Sequence, residues 1–250
     1  MTIIGQSVLK GMRHNMRILS VDTSGNVATA AICEDEKLDC QFVLNNKLTH
    51  SHTLMPIIDS VLKQSELNLK DIDLLAVSYG PGSFTGLRIG VSAVKGLAHA
   101  TKIPVVGVST LEAMAYNLPF CEFLICPIMD ARRAEVYNAI YKWEKTELVE
   151  IKAPRAISVD ELCEELLKMG EKVVFLGDGV PVYKDIILEK LADWTLFAPF
   201  SANAQRASCV AVAAKKEYEK NGAKSGFDLA PVYLRKSQAE REAEEKEKNK

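Results

Sequence analysis

The chain has 250 residues, of which 48% are hydrophobic and 26% charged, and its formal net charge is −2. This composition is typical of a globular protein with a sizeable core, and the near-neutral charge argues against a general attraction to nucleic acid. Six cysteines without a Cys-x-x-Cys pair predict free thiols rather than disulfides or a zinc site. Without a membrane-length apolar run, we expect a cytoplasmic protein.

The first half of the chain predicts the element order βββαβαβ after an N-terminal extension over 1–15. Apolar runs at 18–21, 27–33 and 38–44 are separated by turn residues and predict an antiparallel meander. A helix follows from about Ser51, and a strand at 71–78 leads through a glycine-rich turn into a second helix and a strand at 105–108. This order is that of one ribonuclease-H-like lobe, which we assign to 16–108.

The second half repeats the pattern and predicts a second lobe over 109–226. Strands are expected at 126–129, 135–143, 147–152 and 172–176, with a helix capped by Ser158 and another over about 204–219. An aspartate follows the first strand of each half, Asp22 and Asp130, so we interpret the fold as a structural duplication. The segment 227–250 ends in a charged tail.

The run from Gly80 to Gly90 is the strongest local motif. A strand, a glycine-rich turn and a helix N-terminus can together bind a phosphate through exposed backbone N–H groups. The alternative is a tight turn that lets the helix lie close to the sheet. The turn lacks the Gly-Lys-Ser/Thr ending of a P-loop, which argues against a Walker-type nucleotide site.

Four further polar residues each allow two interpretations. Asp22 could hold a magnesium ion near phosphates, or its side chain could close an Asx turn with Ser24. For Asp130 the turn is favoured. His50 and His52 are spaced i, i+2, which favours a capping or surface role over a metal site.

The helix after the glycine turn carries more apolar and small surface than one sheet contact requires. Gly86, Gly90, Ala93 and Leu97 share one stripe, while Arg88, Lys95 and His99 belong to a polar line. The small residues predict either a close helix–helix contact with another chain or burial within this one.

Six motifs together resemble the TsaB (YeaZ) family of tRNA-modification proteins over about 16–240. They are Ile18-Leu19-Ser20-Val21-Asp22-Thr23-Ser24, His52-x-Leu54-x-Pro56, the Gly80–Gly90 turn, the segment from Met129 to Tyr137 that contains Asp130-Ala131-Arg132-Arg133, Gly177-Asp178-Gly179, and Pro231-Val232-Tyr233-Leu234-Arg235. The resemblance implies an α/β fold of the actin-like ATPase superfamily (ASKHA), with two ribonuclease-H-like lobes of mixed sheet flanked by helices.

The resemblance also implies a non-catalytic role in threonylcarbamoyl modification of adenosine 37 in tRNAs that read ANN codons. The implied partners are a catalytic TsaD-type paralogue and a TsaE-type ATPase, with tRNA reached through the complex, ATP used by the complex and no cofactor bound by this chain alone. Where the paralogue has two metal-binding histidines, this sequence has Thr110 and Met114. The alternative from the residues is a stand-alone actin-like ATP-dependent kinase using Asp22, Asp130 and the glycine turn.

The implied pairing places the two helices of the first lobe against their counterparts in the paralogue, or against a second copy as a homodimer. The predicted interface residues are His52, Leu54, Met55, Ile58, Gly86, Gly90, Ala93 and Leu97. The residues of the vestigial phosphate loop are Asp22, Thr23, Ser24, Gly80, Gly82 and Ser83.

Overall fold

The computed structural model describes residues 15–46, 48–223 and 226–235, which form two five-stranded sheets with helices on both faces. The strands of the first sheet are β1 (Arg17–Asp22), β2 (Ala28–Glu34), β3 (Lys37–Leu44), β4 (Leu74–Gly80) and β5 (Val105–Ser109). Those of the second are β6 (Leu124–Arg132), β7 (Glu135–Glu144), β8 (Glu147–Ser158), β9 (Val173–Leu176) and β10 (Thr195–Phe197). The N-terminal extension and the charged tail lie outside the described residues, apart from residue 15.

Seven α-helices connect and cover these strands in the described part of the chain. They are α1 (His50–Gln64), α2 (Phe84–Thr101), α3 (Thr110–Ala115), α4 (Val159–Met169), α5 (Val180–Leu191), α6 (Phe200–Asn203) and α7 (Ala207–Asn221). Among them, no helix combines the length and the apolar character needed to cross a membrane.

The two sheets have the same topology, which confirms the predicted duplication. The orders are β3-β2-β1-β4-β5 and β8-β7-β6-β9-β10, with an antiparallel meander on one side and parallel strands on the other. The predicted α/β fold with two ribonuclease-H-like lobes of mixed sheet is therefore present.

The side chains of β1, which point alternately to the two faces of the first sheet, show which helices cover each face. Leu19 and Val21 point into a core shared with α1 and α2, whereas Ile18 belongs to a core on the opposite face, shared with α7. Ser20 also faces α7, because its hydroxyl donates to the Ala207 carbonyl oxygen at 2.7 Å. Helix α7 thus completes the first lobe, and its predicted assignment to the second lobe is wrong.

The second sheet is covered by α4 and α5 on one face and by α3 on the other. Neither α5 nor β10 was predicted, although Val180, Tyr183, Ile187 and Leu191 have helical spacing and are all buried. These two elements fill the place in the second lobe that the prediction gave to α7.

Local capping explains where α4 begins and ends. Ser158 caps the helix, as the sequence predicts, and it forms a reciprocal capping box with Glu161; Gly170 ends the helix with a left-handed φ of 66°. Helix α2 is capped by Ser83, whose hydroxyl accepts a hydrogen bond from the Gly86 N–H at 3.2 Å.

The short helix α3 links the two lobes. Leu111, Met114 and Ala115 are buried in the core of the second sheet, while Ala113 packs with α7 against the first. The lobes therefore share a packed junction on the side of the molecule that α3 occupies.

Candidate functional site

A cleft of about 550 Å³ lies between the lobes. Its walls are the β1–β2 turn, the glycine turn before α2, the end of β6 and Asp178 after β9. The two turns that follow the first strand of each lobe therefore line the same cleft. This is the place where a phosphate or a metal ion would have to bind if the motifs of the sequence retained that chemistry.

The Asp22 carboxylate is enclosed and its hydrogen bonds are internal. One oxygen accepts from the Ser24 N–H at 2.7 Å and from the Ser24 hydroxyl at 2.6 Å, and the other accepts from the Ser78 hydroxyl. Burial raises the pKa of Asp22, an effect that the hydrogen bonds from Ser24 and Ser78 oppose. Because Asp22 is only 1% exposed and does not line the cleft, the Asx-turn interpretation describes it.

The glycine turn is packed directly onto the β1–β2 turn. The Ser83 N–H donates to the Ser24 carbonyl oxygen at 2.7 Å, and the Thr23 hydroxyl donates to the Gly86 carbonyl oxygen at 2.7 Å. A Cβ on Gly82 would collide with the Ser24 carbonyl oxygen. The glycines here allow two backbone segments to touch, so the packing interpretation accounts for them.

The opposite wall of the cleft carries two neighbouring carboxyl groups. The Asp130 N–H donates to Asp178 at 3.3 Å, and the Tyr183 hydroxyl donates to Asp130 at 2.9 Å. Burial raises the pKa of Asp178 to about 6, and the Asp130 charge acts in the same direction. Arg132, whose guanidinium pairs with Asp130 and which also lines the cleft, partly compensates the negative charge of this wall.

Asp130 also shapes the turn between β6 and β7. Its carboxylate accepts from the Arg132 N–H at 2.8 Å, which confirms the predicted Asx turn, and pairs with the Arg132 guanidinium at 3.2 Å. Arg132, Arg133 and Ala134 have consecutive left-handed φ values of 66°, 58° and 57°. Such a run is uncommon outside glycine, so neighbouring contacts have to hold it.

The histidines and the positions aligned with the paralogue's ligands form no metal centre. His50 Nε2 donates to the Gly25 carbonyl oxygen at 2.9 Å, while His52 is exposed. Thr110 and Met114 are buried in the α3 junction. Within the residues described, no group of three or more histidine, cysteine, aspartate or glutamate side chains could hold a metal ion.

The predicted interface residues do not share one surface. Leu54, Ile58, Gly86 and Gly90 are buried, Ala93 and Leu97 are half-buried, and His52 and Met55 are exposed. A Cβ on Gly90 would lie 2.5 Å from the Thr23 hydroxyl, so this glycine accommodates the β1–β2 turn of its own chain. The prediction that Leu54, Ile58, Gly86 and Gly90 contact a partner is therefore wrong, because their faces are filled within the lobe.

Another face of α2 is open instead. Thr85, Ser92, Gly96 and Ala100 are exposed, with Ile89 and Ala93 half-buried between them. A Cβ on Gly96 would have no atom within 4 Å. The sequence indicates this face at Gly96. A glycine inside a helix lowers helix stability by about 1 kcal/mol relative to alanine, so its presence there needs a structural reason.

These features define a class of two-lobed actin-like proteins. The cleft between the lobes is present, but the glycine turn of the first lobe is occupied by hydrogen bonds within the chain. The family model described as TsaD, tRNA N6-adenosine threonylcarbamoyltransferase, matches residues 45–243. The tRNA threonylcarbamoyladenosine biosynthesis protein TsaB of Bacillus subtilis (strain 168) is 32% identical over 225 residues, covering 90% of this chain and 96% of the relative. The protein of the same name from Escherichia coli (strain K12) is 30% identical over 230 residues, with the same coverage. The chain therefore belongs to the TsaB family of tRNA threonylcarbamoyladenosine biosynthesis proteins.

Solved structures support the fold. A structure titled YeaZ from Pseudomonas aeruginosa aligns with a TM-score of 0.71 at 22% identity, covering 88% of this chain and all of the other. A second structure from the same organism, with similarity to peptidase YEAZ, aligns at a TM-score of 0.74 and 23% identity with the same coverage. The architecture implied by the six sequence motifs is thus confirmed.

Proposed function

We propose that this chain is the non-catalytic subunit of a complex that adds threonylcarbamoyl to adenosine 37 of tRNAs reading ANN codons. In this proposal a TsaD-type paralogue performs the transfer, a TsaE-type ATPase joins the pair and uses ATP, and tRNA is reached through the complex in the cytoplasm. Family membership supports the pathway, and the open face of α2 is the observation that supports the scaffolding role.

Two buried features of the chain, at the α3 junction and at Asp22, support the lack of catalysis by this chain alone. A hydroxyl of Thr110 and the thioether of Met114 are poor ligands for the metal of the catalytic paralogue, and both are buried between the lobes. Asp22 is likewise committed to three internal hydrogen bonds. Neither feature supports the alternative of a stand-alone ATP-dependent kinase.

The partner-binding surface that we propose is the outer face of α2 together with the exposed part of α1. On α2 it runs along Thr85, Ile89, Ser92, Ala93, Gly96 and Ala100. Small side chains at helical spacing let a second helix approach closely, and Met55 of α1 is 46% exposed, an apolar side chain able to adapt to the partner. The same surface would serve a homodimer when the paralogue is absent.

Co-expression with a TsaD-type paralogue tests the proposal through Gly96→Trp. The side chain would point into open space, so the subunit should fold normally, yet it would keep a partner helix away from α2. We expect co-purification and formation of modified adenosine to fall together. Lys168→Trp, at an exposed position of α4 in the second lobe, is the matched control and should preserve both co-purification and formation of the modified adenosine.

Two outcomes would overturn the proposal. If Gly96→Trp binds the paralogue as tightly as the original chain does, α2 is not the interface. If the purified chain alone produces the modified nucleoside, the subunit is catalytic.

A further inference from the structure

The polar line of α2 contacts the C-terminal segment 226–235, called the strap below. Lys95 Nζ donates to the carbonyl oxygens of Phe227 at 3.2 Å and Leu229 at 2.9 Å. The His99 ring meets the Phe227 ring edge-on, with centroids 5.4 Å apart. The polar side chains of this face therefore contact backbone and aromatic groups of the same chain.

The strap continues along the first lobe towards the cleft. Leu229 is buried in the core beneath α2, and the Val232 N–H donates to the Tyr79 carbonyl oxygen at 2.8 Å, at the end of β4. The Tyr233 ring then stacks on Phe84 at 3.9 Å with the planes only 10° apart. Since Phe84 lines the cleft, the strap reaches the cleft rim with its aromatic residue fixed in place.

Arg88 contacts both rings of the Tyr233–Phe84 stack. Its Nε donates to the Tyr233 hydroxyl at 3.1 Å, and its guanidinium carbon lies 4.5 Å from the centre of the Phe84 ring. A cation on one ring and a hydrogen bond to the other leave little freedom for either aromatic side chain. The first-lobe half of the strap is thus held along the length of α2.

The strap then crosses to the second lobe through Arg235. Its Nη1 donates to the Ala131 carbonyl oxygen at 2.9 Å, and its guanidinium forms an ion pair with Glu135. These two residues lie on either side of the three left-handed residues of the β6–β7 turn, and Ala131 lines the cleft. The Arg235 side chain is only 18% exposed, which weakens solvent screening of the pair.

We propose that the strap fixes the angle between the two lobes, with Arg235 as the latch. The lobes are joined by α3, by the chain crossing from α6 to α7, and by the strap at the cleft rim. At the α6–α7 crossing Asn203 accepts from the Gly177 N–H of the second lobe, and the Ala207 N–H donates to the Thr29 hydroxyl of the first. A rotation that opened the cleft would separate Arg235 from Ala131 and Glu135, so the strap holds the cleft at one width.

Distance measurement between two spin labels tests the latch in the full chain. Cysteines replace Gln64 on α1 and Lys168 on α4, both exposed, in a background where the partly accessible Cys40 and Cys121 are serine. The original strap should give one narrow distance distribution. Arg235→Ala should broaden it and add a population at a shifted distance, whereas Arg133→Ala, exposed in the same turn, should leave it unchanged.

Two further variants keep the result decisive. The double variant Arg235→Glu with Glu135→Arg reverses the ion pair. It should restore much of the narrow distance distribution that either single substitution removes. If Arg235→Ala lowers the folded fraction, Arg235→Met keeps much of the side-chain volume but has neither the charge nor an N–H donor for Ala131 and Glu135, so it should also broaden the distribution. An unchanged distribution in Arg235→Ala, or in a folded Arg235→Met, would overturn the proposal.

Discussion

Two glycines on α2, six residues apart, should respond in opposite directions to the same substitution by alanine. A Cβ on Gly90 would lie 2.5 Å from the Thr23 hydroxyl and 3.6 Å from a methyl group of Val77. That hydroxyl is already held by its hydrogen bond to the Gly86 carbonyl oxygen. A Cβ on Gly96 has nothing within 4 Å.

The magnitudes follow from these distances. Alanine gains about 1 kcal/mol over glycine inside a helix, and at Gly96 nothing opposes the gain. At Gly90 overpacking costs about 1–3 kcal/mol and the displaced Thr23 hydrogen bond about 1 kcal/mol, so the net loss is about 1–3 kcal/mol. For a chain of this length, about 2–4 °C of melting temperature corresponds to each kcal/mol.

Urea and thermal unfolding followed by circular dichroism would measure both variants against the original chain. We expect Gly96→Ala to melt a few degrees higher and Gly90→Ala to melt lower. Equal effects at the two positions, or a Gly90→Ala variant as stable as the original, would refute the assignment of Gly90 to the interior and Gly96 to the surface.

Two other predictions concern buried carboxyl groups. Asp22→Ala should lower the free energy of unfolding by about 2–5 kcal/mol in urea titrations, because the Ser24 and Ser78 donors lose their acceptor; exposed Asp193→Ala is the control, and a neutral Asp22→Ala would contradict the Asx-turn assignment. Burial raises the pKa of Glu112 from 4.5 to about 6, with the charges of Glu217 and Glu150 acting in the same direction and those of Lys216 and Lys220 opposing it. The folded state thus binds the Glu112 proton more tightly than the unfolded state. The contribution of this proton to the free energy of unfolding is fully present below about pH 4.5 and is lost as pH rises through 6. Glu112→Gln should therefore be more stable than the original by about 1–2 kcal/mol at pH 8 and show a shallower loss between pH 4.5 and 7; exposed Glu164→Gln is the control, and an unchanged slope in Glu112→Gln would contradict the prediction.

The sequence by itself determined the repeated strand order and the ends of several elements. Apolar runs separated by turn residues identify β1 to β3 and β6 to β8, because alternate side chains of a strand share a face and a packed sheet needs that face apolar. Ser158 marks the start of α4 because its hydroxyl can satisfy a backbone N–H that the helix leaves free. The motifs around Asp22, Asp130 and the glycine turn were sufficient to indicate the family.

Only the tertiary structure decided which face of α2 packs inside the first lobe, which face contacts the strap and which face stays open. The stripe of Gly86 and Gly90 looks the same in sequence whether the β1–β2 turn or another protein packs against it, because the contact with Thr23 joins residues far apart in the chain. The sequence does not reveal that the polar line of Arg88, Lys95 and His99 contacts a segment more than 120 residues later in the chain. Helical periodicity records how polar each face is but not which distant segment packs there, so the open face at Gly96 and the strap emerge only once the chain has folded.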